Sequence, residues 1–334
     1  MRDRLRLAVI GVGMMGKNHL RVYSKMKNVK IQAVCDINEN LGKSVAKEFD
    51  AIYYNDVKDL LENEKIDAVS IVTPTIYHAV VSLECIKRRI PILVEKPLAS
   101  NSLEVKKIID AAKQKNVLIC VGHIERFNPA IQNLKKLMDK KIFGKVLSVN
   151  IKRVGLYPQR RIETDVISDL AVHDLDIVTY LLGSLPISVF AKGGSTRNNG
   201  LYDHVEIFLN YGEFGCFIQT NWMTPIKIRT LSLTGSKSYA ELNYMTQDLA
   251  LYNNTIIKAK DPILFDEFID IYGKPKKRMI SFKKKEPLII EIQNFVEAVL
   301  HNKHFMATGE AGLQAVVLTE SVRKSITSGK IVML

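Results

Sequence analysis

The chain has 334 residues, enough for two ordinary domains and too many for a single hydrophobic core. Its hydrophobic fraction of 47% and charged fraction of 25% are typical of a globular protein in water, and no apolar run approaches the roughly 20 residues of a membrane span. The first residues are charged and lead straight into a predicted strand, unlike a signal peptide. We therefore expect a cytoplasmic protein without a membrane partner.

The net charge of +13 favours anionic partners, among which nucleic acid has to be considered. The lysines are spread along the chain, and the densest basic stretch, residues 274–285, contains one aromatic side chain, Phe282. Proteins that bind single strands interleave aromatic and basic side chains. We therefore expect no nucleic-acid partner, and a phosphorylated small substrate accounts for the charge equally well.

The four cysteines, Cys35, Cys85, Cys120 and Cys216, stand at no metal-ligand spacing and form no CxxC pair. This usage predicts reduced, buried thiols in a cytoplasmic protein and no cysteine-bound metal.

Strands and helices alternate through the first third of the chain. In chain order the predicted elements are strand 5–10, helix 17–26, strand 30–35, helix 39–49, strand 67–72, helix 76–87, strand 91–94, helix 102–115 and strand 117–121. Short apolar strands between helices predict a parallel sheet covered on both faces. Further on, the patterns predict strands 205–209, 215–221, 230–235 and 239–242 and helices 287–301 and 309–328. We place the two domains at residues 1–123 and 124–334.

A glycine motif follows the first strand. Gly11, Gly13 and Gly16, with Met14 and Met15 between the last two, match GxGxxG between a strand and a helix. In this setting the first glycine permits a tight turn, the second lets the backbone approach a pyrophosphate, and the third lets the helix pack on the sheet. The motif predicts a dinucleotide site at the helix N-terminus.

An acid at the end of the second strand indicates which dinucleotide binds. Asp36 lies 20 positions after Gly16, where a carboxylate hydrogen-bonds the adenosine ribose. It would repel a 2′-phosphate, and no arginine follows it in residues 37–40. We therefore predict NAD rather than NADP; an N-cap role for Asp36 is compatible with this.

Two strand ends are expected to line the nicotinamide side, because ligands of open α/β sheets bind at the carboxyl ends of strands. Thr73, Pro74 and His78 follow the third clear strand, although His78 could equally be a helix-start histidine without a role. Glu95 and Lys96 follow the fourth. A lysine beside a nicotinamide cation is expected to have a lowered pKa and to act on a carbon–oxygen bond, whereas a plain surface lysine is the alternative.

Asp169, His173 and Asp176 are spaced i, i+4 and i+7, which places them on one stripe of a predicted helix. A carboxylate one turn before a histidine suits an oriented general base. A solvated face is the first alternative, and a metal site is the second; we expect no metal, because further histidine or cysteine ligands are not close in sequence.

Guanidinium and aromatic side chains of the second domain are candidates for the substrate, since arginine binds phosphate oxygens in two-point geometry. The only tryptophan of the chain could stack on a sugar or anchor a sheet. The predicted substrate residues are Arg126, Arg153, Tyr157, Arg160, Arg161, Trp222 and Arg229.

The order and spacing of these motifs resemble the Gfo/Idh/MocA oxidoreductase family over essentially the whole chain. The motifs that carry the resemblance are Gly11 to Gly16 with His19, Thr73-Pro74 with His78, Glu95-Lys96-Pro97, Asp169 to Asp176 with His173, and Glu286-Pro287-Leu288. The resemblance implies an N-terminal Rossmann domain that binds NAD and a C-terminal α/β domain with a large, mostly antiparallel open sheet. It also implies a homo-oligomer, a dimer or tetramer, that packs through this sheet.

The resemblance further implies that Lys96, Asp169 and His173 form the catalytic group. We assign His173 as general base, Lys96 as alkoxide stabiliser and proton-relay partner, and Asp169 as orienting residue, and Lys96 and His173 could exchange roles. Glu95 and Lys96 are also counted with the cofactor-binding residues.

Within the family the chain is most similar to the nucleotide-sugar branch. This implies oxidation of UDP-N-acetylglucosamine at C3 to a 3-keto sugar, which an aminotransferase then consumes. Gly155 is followed by Leu156 and Tyr157 where the branch is expected to have proline and phenylalanine, and this leaves the substrate open. The alternatives are UDP-N-acetylglucosaminuronate, a polyol of the inositol type, and an NAD-binding redox sensor without turnover.

Overall fold

The computed structural model describes residues 4–158, 164–197, 200–253, 264 and 277–334. Its helices are α1 (Met14–Tyr23), α2 (Glu39–Glu48), α3 (Val57–Asn63), α4 (Thr75–Lys87), α5 (Ser102–Lys115), α6 (Pro129–Asp139), α7 (Val172–Leu182), α8 (Pro287–His301) and α9 (Gly309–Ser328). A 3-10 turn covers Ile124–Phe127, and a π-helical turn, Ile167–Ala171, runs directly into α7.

The strands are β1 (Leu5–Ile10), β2 (Val29–Cys35), β3 (Ile52–Tyr54), β4 (Ala68–Ile71), β5 (Ile92–Glu95), β6 (Ile119–Gly122), β7 (Val146–Val154), β8 (Ser188–Gly194), β9 (His204–Asn210), β10 (Gly215–Asn221), β11 (Ile228–Gly235), β12 (Ser238–Asn243), β13 (Asp248–Asn253), β14 (Lys277–Met279) and β15 (Val332–Met333). They form two sheets.

The first sheet has the order β3-β2-β1-β4-β5-β6, and all its pairs are parallel. The second has the order β14-β13-β12-β11-β7-β10-β9-β8-β15 and is antiparallel except for the β7–β10 pair. The predicted fold class, a doubly wound parallel sheet followed by an α/β domain with a mostly antiparallel sheet, is confirmed.

The residues group into two compact units. The first contains residues 1–127 and 285–320, and the second contains residues 128–284 and 321–334. The chain thus returns to the first unit after passing through the second, and α8 packs within the first unit against α1 and the 3-10 turn. The division into two continuous domains, residues 1–123 and 124–334, stays a prediction.

Helices cover both faces of the first sheet, as its apolar strands predict. Leu7 and Val9 join an apolar cluster with residues of α1 and α8, whereas Ala8 and Ile10 join a second cluster with residues of α4 and α5. Alternate strand residues point to opposite faces, so the two clusters lie on opposite sides of the sheet. All four cysteines are buried, free thiols, as predicted.

The second sheet has one covered face and one open face. Along β9, Val205, Ile207 and Leu209 are buried, while Glu206 is exposed and Phe208 is half-buried. This alternation is typical of an antiparallel sheet whose second face is not covered by its own chain. Within the part of the chain that the structure describes, no helix has the length and apolar character that crossing a bilayer requires.

Candidate active site

The turn between β1 and α1 requires glycine at two positions and leaves open space at a third. Gly11 has φ +87°, and a Cβ atom there would lie 2.7 Å from the backbone nitrogen of Thr73. A Cβ atom on Gly16 would lie 2.0 Å from the Gly11 carbonyl oxygen, whereas one on Gly13 would meet no described atom within 4 Å. The open space at Gly13 is where the backbone of this motif approaches a pyrophosphate.

The N-terminus of α1 is suited to an anion. Gly13 is its N-cap residue and supplies no side-chain hydrogen bond. Met14 and Met15 lie in the first turn, where backbone N–H groups have no acceptor within the helix. Such N–H groups and the positive end of the helix dipole attract a phosphate.

Asp36 is held at the end of β2 by two backbone donors. The Val12 N–H donates to Oδ2 at 2.8 Å, and the Asn38 N–H donates to Oδ1 at 2.8 Å. The N-cap of α2 is Asn38, so Asp36 does not cap that helix. Each carboxylate oxygen keeps a further lone pair, which fits a carboxylate that binds a ribose diol.

His78 connects the ends of β4 and β5. It is 1% exposed, and its Nδ1 and Nε2 lie 2.8 Å from the carbonyl oxygens of Pro97 and Thr73. Burial lowers its pKa, although both carbonyls oppose this. The neutral ring can donate to only one of these carbonyls at a time. Because both ring nitrogens face backbone carbonyls, His78 orders the loops after β4 and β5 and does not point toward solvent. Near it, Thr73 Oγ1 is buried with no hydrogen-bond partner among the described residues.

Glu95 forms the support of Lys96, and its side chain is 12% exposed. Its Oε2 accepts the backbone N–H of Lys96 at 3.1 Å, and its Oε1 lies 3.1 Å from Nε2 of His19. Gly122 of β6 pairs with Glu95, and a Cβ atom on Gly122 would lie 3.1 Å from the Glu95 carboxylate. A residue without a side chain therefore fits at this position of β6. Burial alone would raise the pKa of Glu95, but His19 and Lys96 together hold it below its usual value.

The first unit therefore fits a nicotinamide dinucleotide. Three features lie at the ends of neighbouring strands: the open space at Gly13 after β1, the carboxylate of Asp36 after β2, and the hydroxyl of Thr73 after β4, which has no hydrogen-bond partner among the described residues. In a doubly wound sheet these strand ends are where a dinucleotide binds.

The helix of the second unit differs from the predicted stripe. Asp169 lies in the π-helical turn, and α7 begins only at Val172, so the spacing of Asp169, His173 and Asp176 is not that of one α-helix. Asp169 and His173 are half-buried, while Asp176 is 2% exposed. The structure therefore leaves Asp169 and His173 partly exposed, although Nδ1 of His173 is itself buried, and it buries Asp176. Among the described side chains, no group of three histidine, cysteine or acidic residues forms a metal site.

Arg153 anchors this helix to the sheet. Its Nε donates to both carboxylate oxygens of Asp174 at 2.9 Å, and its guanidinium carbon lies 4.9 Å from the ring centre of Tyr244. Arg153 is 1% exposed and Asp174 is 0% exposed, so the ion pair is fully buried between β7 and α7. The main contact of the Arg153 guanidinium is therefore structural: it fixes α7, the helix that carries His173.

A cluster of positive charge continues from Arg153 along the sheet. Arg229 of β11 stands opposite Arg153 of β7 in the strand register. The nearby charge of Arg229, then burial and Arg153, lower the pKa of Lys227. Cations this close to one another favour an anion as ligand.

The remaining predicted substrate residues lie in different surroundings. Trp222 is 3% exposed and packs edge-on to Tyr157 with ring centres 6.0 Å apart, which favours its alternative role as a sheet anchor. The Arg126 side chain belongs to the first unit and donates to the Met306 carbonyl oxygen at 3.0 Å. Arg160 and Arg161 lie outside the described residues.

Comparison with known proteins identifies the family. A profile of the Gfo/Idh/MocA oxidoreductase family, its NAD-binding Rossmann fold, matches residues 5–123, and the profile of its C-terminal alpha/beta domain matches residues 135–334. The chain belongs to the Gfo/Idh/MocA family. The predicted resemblance is thereby confirmed.

Several Gfo/Idh/MocA relatives are similar over most or all of the chain. UDP-N-acetylglucosamine 3-dehydrogenase of Acidithiobacillus ferrooxidans is 27% identical over 324 residues, covering 96% of this chain and 97% of that protein. Its solved structure has a TM-score of 0.84 at 24% identity and covers 97% of this chain and 98% of its own. scyllo-Inositol 2-dehydrogenase (NAD(+)) of Bacillus subtilis is 31% identical over 222 residues, covering 64% of this chain and 65% of that protein. Levoglucosan dehydrogenase, solved with NADH and levoglucosan, has a TM-score of 0.86 at 18% identity and covers 99% of each chain.

The predicted cofactor is also confirmed, because the matched Rossmann domain of this Gfo/Idh/MocA protein is an NAD-binding domain. The protein is an NAD-dependent oxidoreductase of this family.

Two residues with a clear place in the sites were not among those predicted from sequence. Lys227 lies two positions before Arg229. Residues two apart in an extended segment point to the same face, so this spacing could have predicted that the two cations lie together. His19 belongs to the family motif, but its contact with Glu95 joins residues 76 positions apart, and no local pattern reveals such a contact.

Proposed function

We propose that the protein oxidises the C3 hydroxyl of UDP-N-acetylglucosamine to a ketone, with NAD as the oxidant. The observation that carries the reaction class is Lys96 on its Glu95 support at the end of β5, in the NAD-binding unit. The choice of substrate is supported by similarity to UDP-N-acetylglucosamine 3-dehydrogenase over nearly the whole of both chains.

The proposed chemistry gives each member of the catalytic group one task. His173 takes the proton of the hydroxyl group, and Lys96 stabilises the negative charge that develops on its oxygen. Asp169 orients the imidazole of His173. NAD, when bound, accepts the hydride that leaves the same carbon, so that a carbon–oxygen double bond forms. Lys96 and His173 could exchange the tasks of base and stabiliser.

The cation cluster of the second unit is proposed to bind the diphosphate of the nucleotide. Arg229 and Lys227 are candidates, because their positive charges lie close together beside Arg153, whose guanidinium holds Asp174. Tyr157 and the guanidinium of Arg197, 6.0 Å from its ring centre, add an aromatic and a cationic surface in the same unit. Arg160 and Arg161 remain predicted partners of the same group.

A polyol of the inositol type is the second candidate substrate. It is favoured by the higher identity, 31%, to scyllo-inositol 2-dehydrogenase (NAD(+)), although that similarity covers only 64% of the chain. A polyol would give the cation cluster no anion to bind. The uronate of UDP-N-acetylglucosamine would use one more cation, and a sensor without turnover would not need Lys96 or His173.

The cellular setting belongs to the same proposal. We place the enzyme in the cytoplasm as a homo-oligomer, a dimer or tetramer, whose ketone product is passed to an aminotransferase. A ketone on a nucleotide sugar is the substrate that transamination requires.

Turnover with a panel of substrates tests the proposal. Purified protein with NAD⁺ is expected to form NADH with UDP-N-acetylglucosamine, and not with its uronate, UDP-glucose or myo-inositol. A downstream aminotransferase or a ketone trap is included, because the equilibrium of alcohol oxidation can disfavour the ketone. Turnover with only the uronate or inositol would reject the substrate, and NAD⁺ binding without any turnover would favour a sensor.

A lysine variant tests the catalytic assignment in the same assay. Lys96→Met is expected to lower kcat by about a hundredfold or more, because it removes the charge beside the developing alkoxide. Lys145→Met, at a side chain that is 80% exposed, is the control and should keep full activity. Undiminished turnover by the Lys96 variant would show that Lys96 is not part of the catalytic group.

A further inference from the structure

Glu291 of α8 is a buried acid that the proposed reaction does not use. It is 0% exposed, and neither of its carboxylate oxygens has a hydrogen-bond partner among the residues that the structure describes. Its helix neighbours Leu288 and Ile292 belong to an apolar cluster that also contains Tyr23 and Cys120. An ionised carboxylate is very costly in such surroundings, so a free acid is the form that fits.

A second carboxyl group lies in the same unit, and the two groups are held differently. Glu95 has a hydrogen-bond donor at each oxygen, the ring of His19 and the backbone of Lys96. Burial, and then the charge of Glu95, raise the pKa of Glu291 well above its usual value. Two neighbouring carboxyl groups with such different surroundings separate into one acid and one carboxylate.

The contacts of His19 connect Glu95 to α1 and β4. A carboxylate only accepts, so Nε2 of His19 donates to Glu95 Oε1 at 3.1 Å. Nδ1 of the same ring lies 3.4 Å from Ser70 Oγ, and Ser70 Oγ lies 2.7 Å from the Tyr23 hydroxyl oxygen. His19 and Ser70 are 0% exposed, and Tyr23 is 1% exposed.

Each element that packs against α8 or carries the network has titratable or charged groups, and those that interact electrostatically with Glu291 are Tyr23, Glu95 and Cys120. The others on these elements are His19 and Arg21 on α1 and His123, Glu125 and Arg126 in and beside the 3-10 turn. Arg21 is paired with Glu286, and Arg126 donates to Met306.

We propose that Glu291 is a neutral carboxylic acid in the folded protein, enclosed among apolar side chains, whereas Glu95, held by the ring of His19 and the backbone of Lys96, is the ionised carboxylate. This charge lies against the backbone N–H of Lys96. His19 is therefore a positioning residue, which holds the Glu95 carboxylate at the strand end that carries Lys96. The statement about Lys96 rests on the proposed function, whereas the protonation of Glu291 does not.

The pH dependence of stability tests the protonation of Glu291. The folded protein holds this proton to a higher pH than the unfolded chain, where the pKa is near 4.5, so the group destabilises the fold increasingly as pH rises. Glu291→Gln removes this dependence. The urea midpoint of the variant, followed by circular dichroism, is expected to exceed that of the wild type by a margin that grows from about pH 5 to about pH 8.

An exposed glutamate of the same helix provides the matched control. Glu297 is 41% exposed and paired with Lys303, which lowers its pKa. Glu297 is already ionised throughout this range, so Glu297→Gln should be less stable than the wild type by a small amount that stays constant from about pH 5 to about pH 8, because the pair is exposed. A margin for Glu291→Gln that is constant or shrinks with rising pH would overturn the proposal.

Infrared spectroscopy tests the same point without a variant. At about pH 8, exposed carboxyl groups are ionised, and the wild-type protein is expected to show the carbonyl band of a protonated carboxylic acid. The band should disappear in Glu291→Gln if that variant folds. Absence of the band from the wild type would overturn the proposal.

Variants of His19 test the effect on the strand end through NAD⁺ binding, independently of any substrate. His19→Leu removes a donor from Glu95, so NAD⁺ affinity should begin to fall at a pH about one unit or more higher than in the wild type. His19→Gln retains an amide donor and should restore the wild-type profile. Identical profiles for all three proteins would overturn the positioning role, whereas failure of the substrate panel alone would reject only the proposed reaction.

Discussion

At the scale of single residues, the glycine turn separates the requirements of folding from those of binding. Gly13 has φ −62°, which any residue adopts, and open space where a Cβ atom would stand. Gly13→Ala should therefore keep the stability of the wild type. The added methyl group would occupy the approach to the pyrophosphate, so we expect NAD⁺ affinity to fall by about tenfold or more. Binding titrations and thermal unfolding of the same preparation measure both quantities.

Gly16 provides the contrast at the same turn. Its Cβ atom would overlap the Gly11 carbonyl oxygen at 2.0 Å, so Gly16→Ala should lose stability as well as affinity. Equal losses of stability in the two variants, or unchanged affinity in Gly13→Ala, would contradict the division of roles between these glycines.

Residues whose role depends on local sequence could be predicted, and residues whose role depends on tertiary neighbours could not. The roles of Gly11 and Gly16 follow from a motif between a strand and a helix, and the structure shows the close approaches that exclude a side chain there. The burial of Glu291 could not be predicted from the local sequence, because an acidic residue in an amphipathic helix is normally expected on the solvent-facing side. Its burial arises from the return of the chain to the first unit after residue 284.

At the scale of elements, the link between β7 and α7 is a buried ion pair rather than apolar packing alone. Asp174→Asn would leave Arg153 buried beside a neutral partner, and we expect the second unit to lose about 3–5 kcal/mol of unfolding free energy. Urea unfolding followed by the fluorescence of Trp222 measures this unit, since Trp222 is the only tryptophan and is buried within it.

A double variant distinguishes the cost of an unpaired charge from the value of the pair. Arg153→Met with Asp174→Leu replaces both groups by apolar side chains, so its loss of stability should be smaller than that of Asp174→Asn. A double variant that is less stable than the single one would show that the pair itself, with the Tyr244 ring beneath it, stabilises the unit.

Elements with a strong apolar period were predictable, and elements defined by their neighbours were not. The strand at residues 5–10 and the helices at 287–301 and 309–328 have the predicted bounds. β3 has three residues and begins with an exposed isoleucine, so its place is set by pairing with β2 rather than by its own pattern. The π-helical turn before α7 likewise has no signature in the spacing of Asp169 and His173.

At the scale of the whole molecule, the open face of the second sheet remains to be explained. Phe217 is 54% exposed, and its ring centre lies 4.8 Å from that of Phe208 on the neighbouring strand. Both residues alternate with the buried Ile218 and Leu209, so their side chains point away from the covered face. Exposed aromatic side chains in a group indicate an interaction surface. A second copy of the chain is the occupant that the proposed homo-oligomer requires.

A charge introduced at this face should therefore dissociate the oligomer. Phe217→Asp would place a carboxylate in the proposed interface, where association would have to remove it from water, so we expect sedimentation to show at least a halving of the mass. Leu103→Asp, at another apolar side chain that is 69% exposed, is the control and should leave the mass unchanged. NAD⁺ binding should persist in the Phe217 variant, because the residues predicted to hold the cofactor belong to the first unit. A wild-type protein that sediments as a monomer, or a Phe217 variant of unchanged mass, would mean that this face does not join copies of the chain.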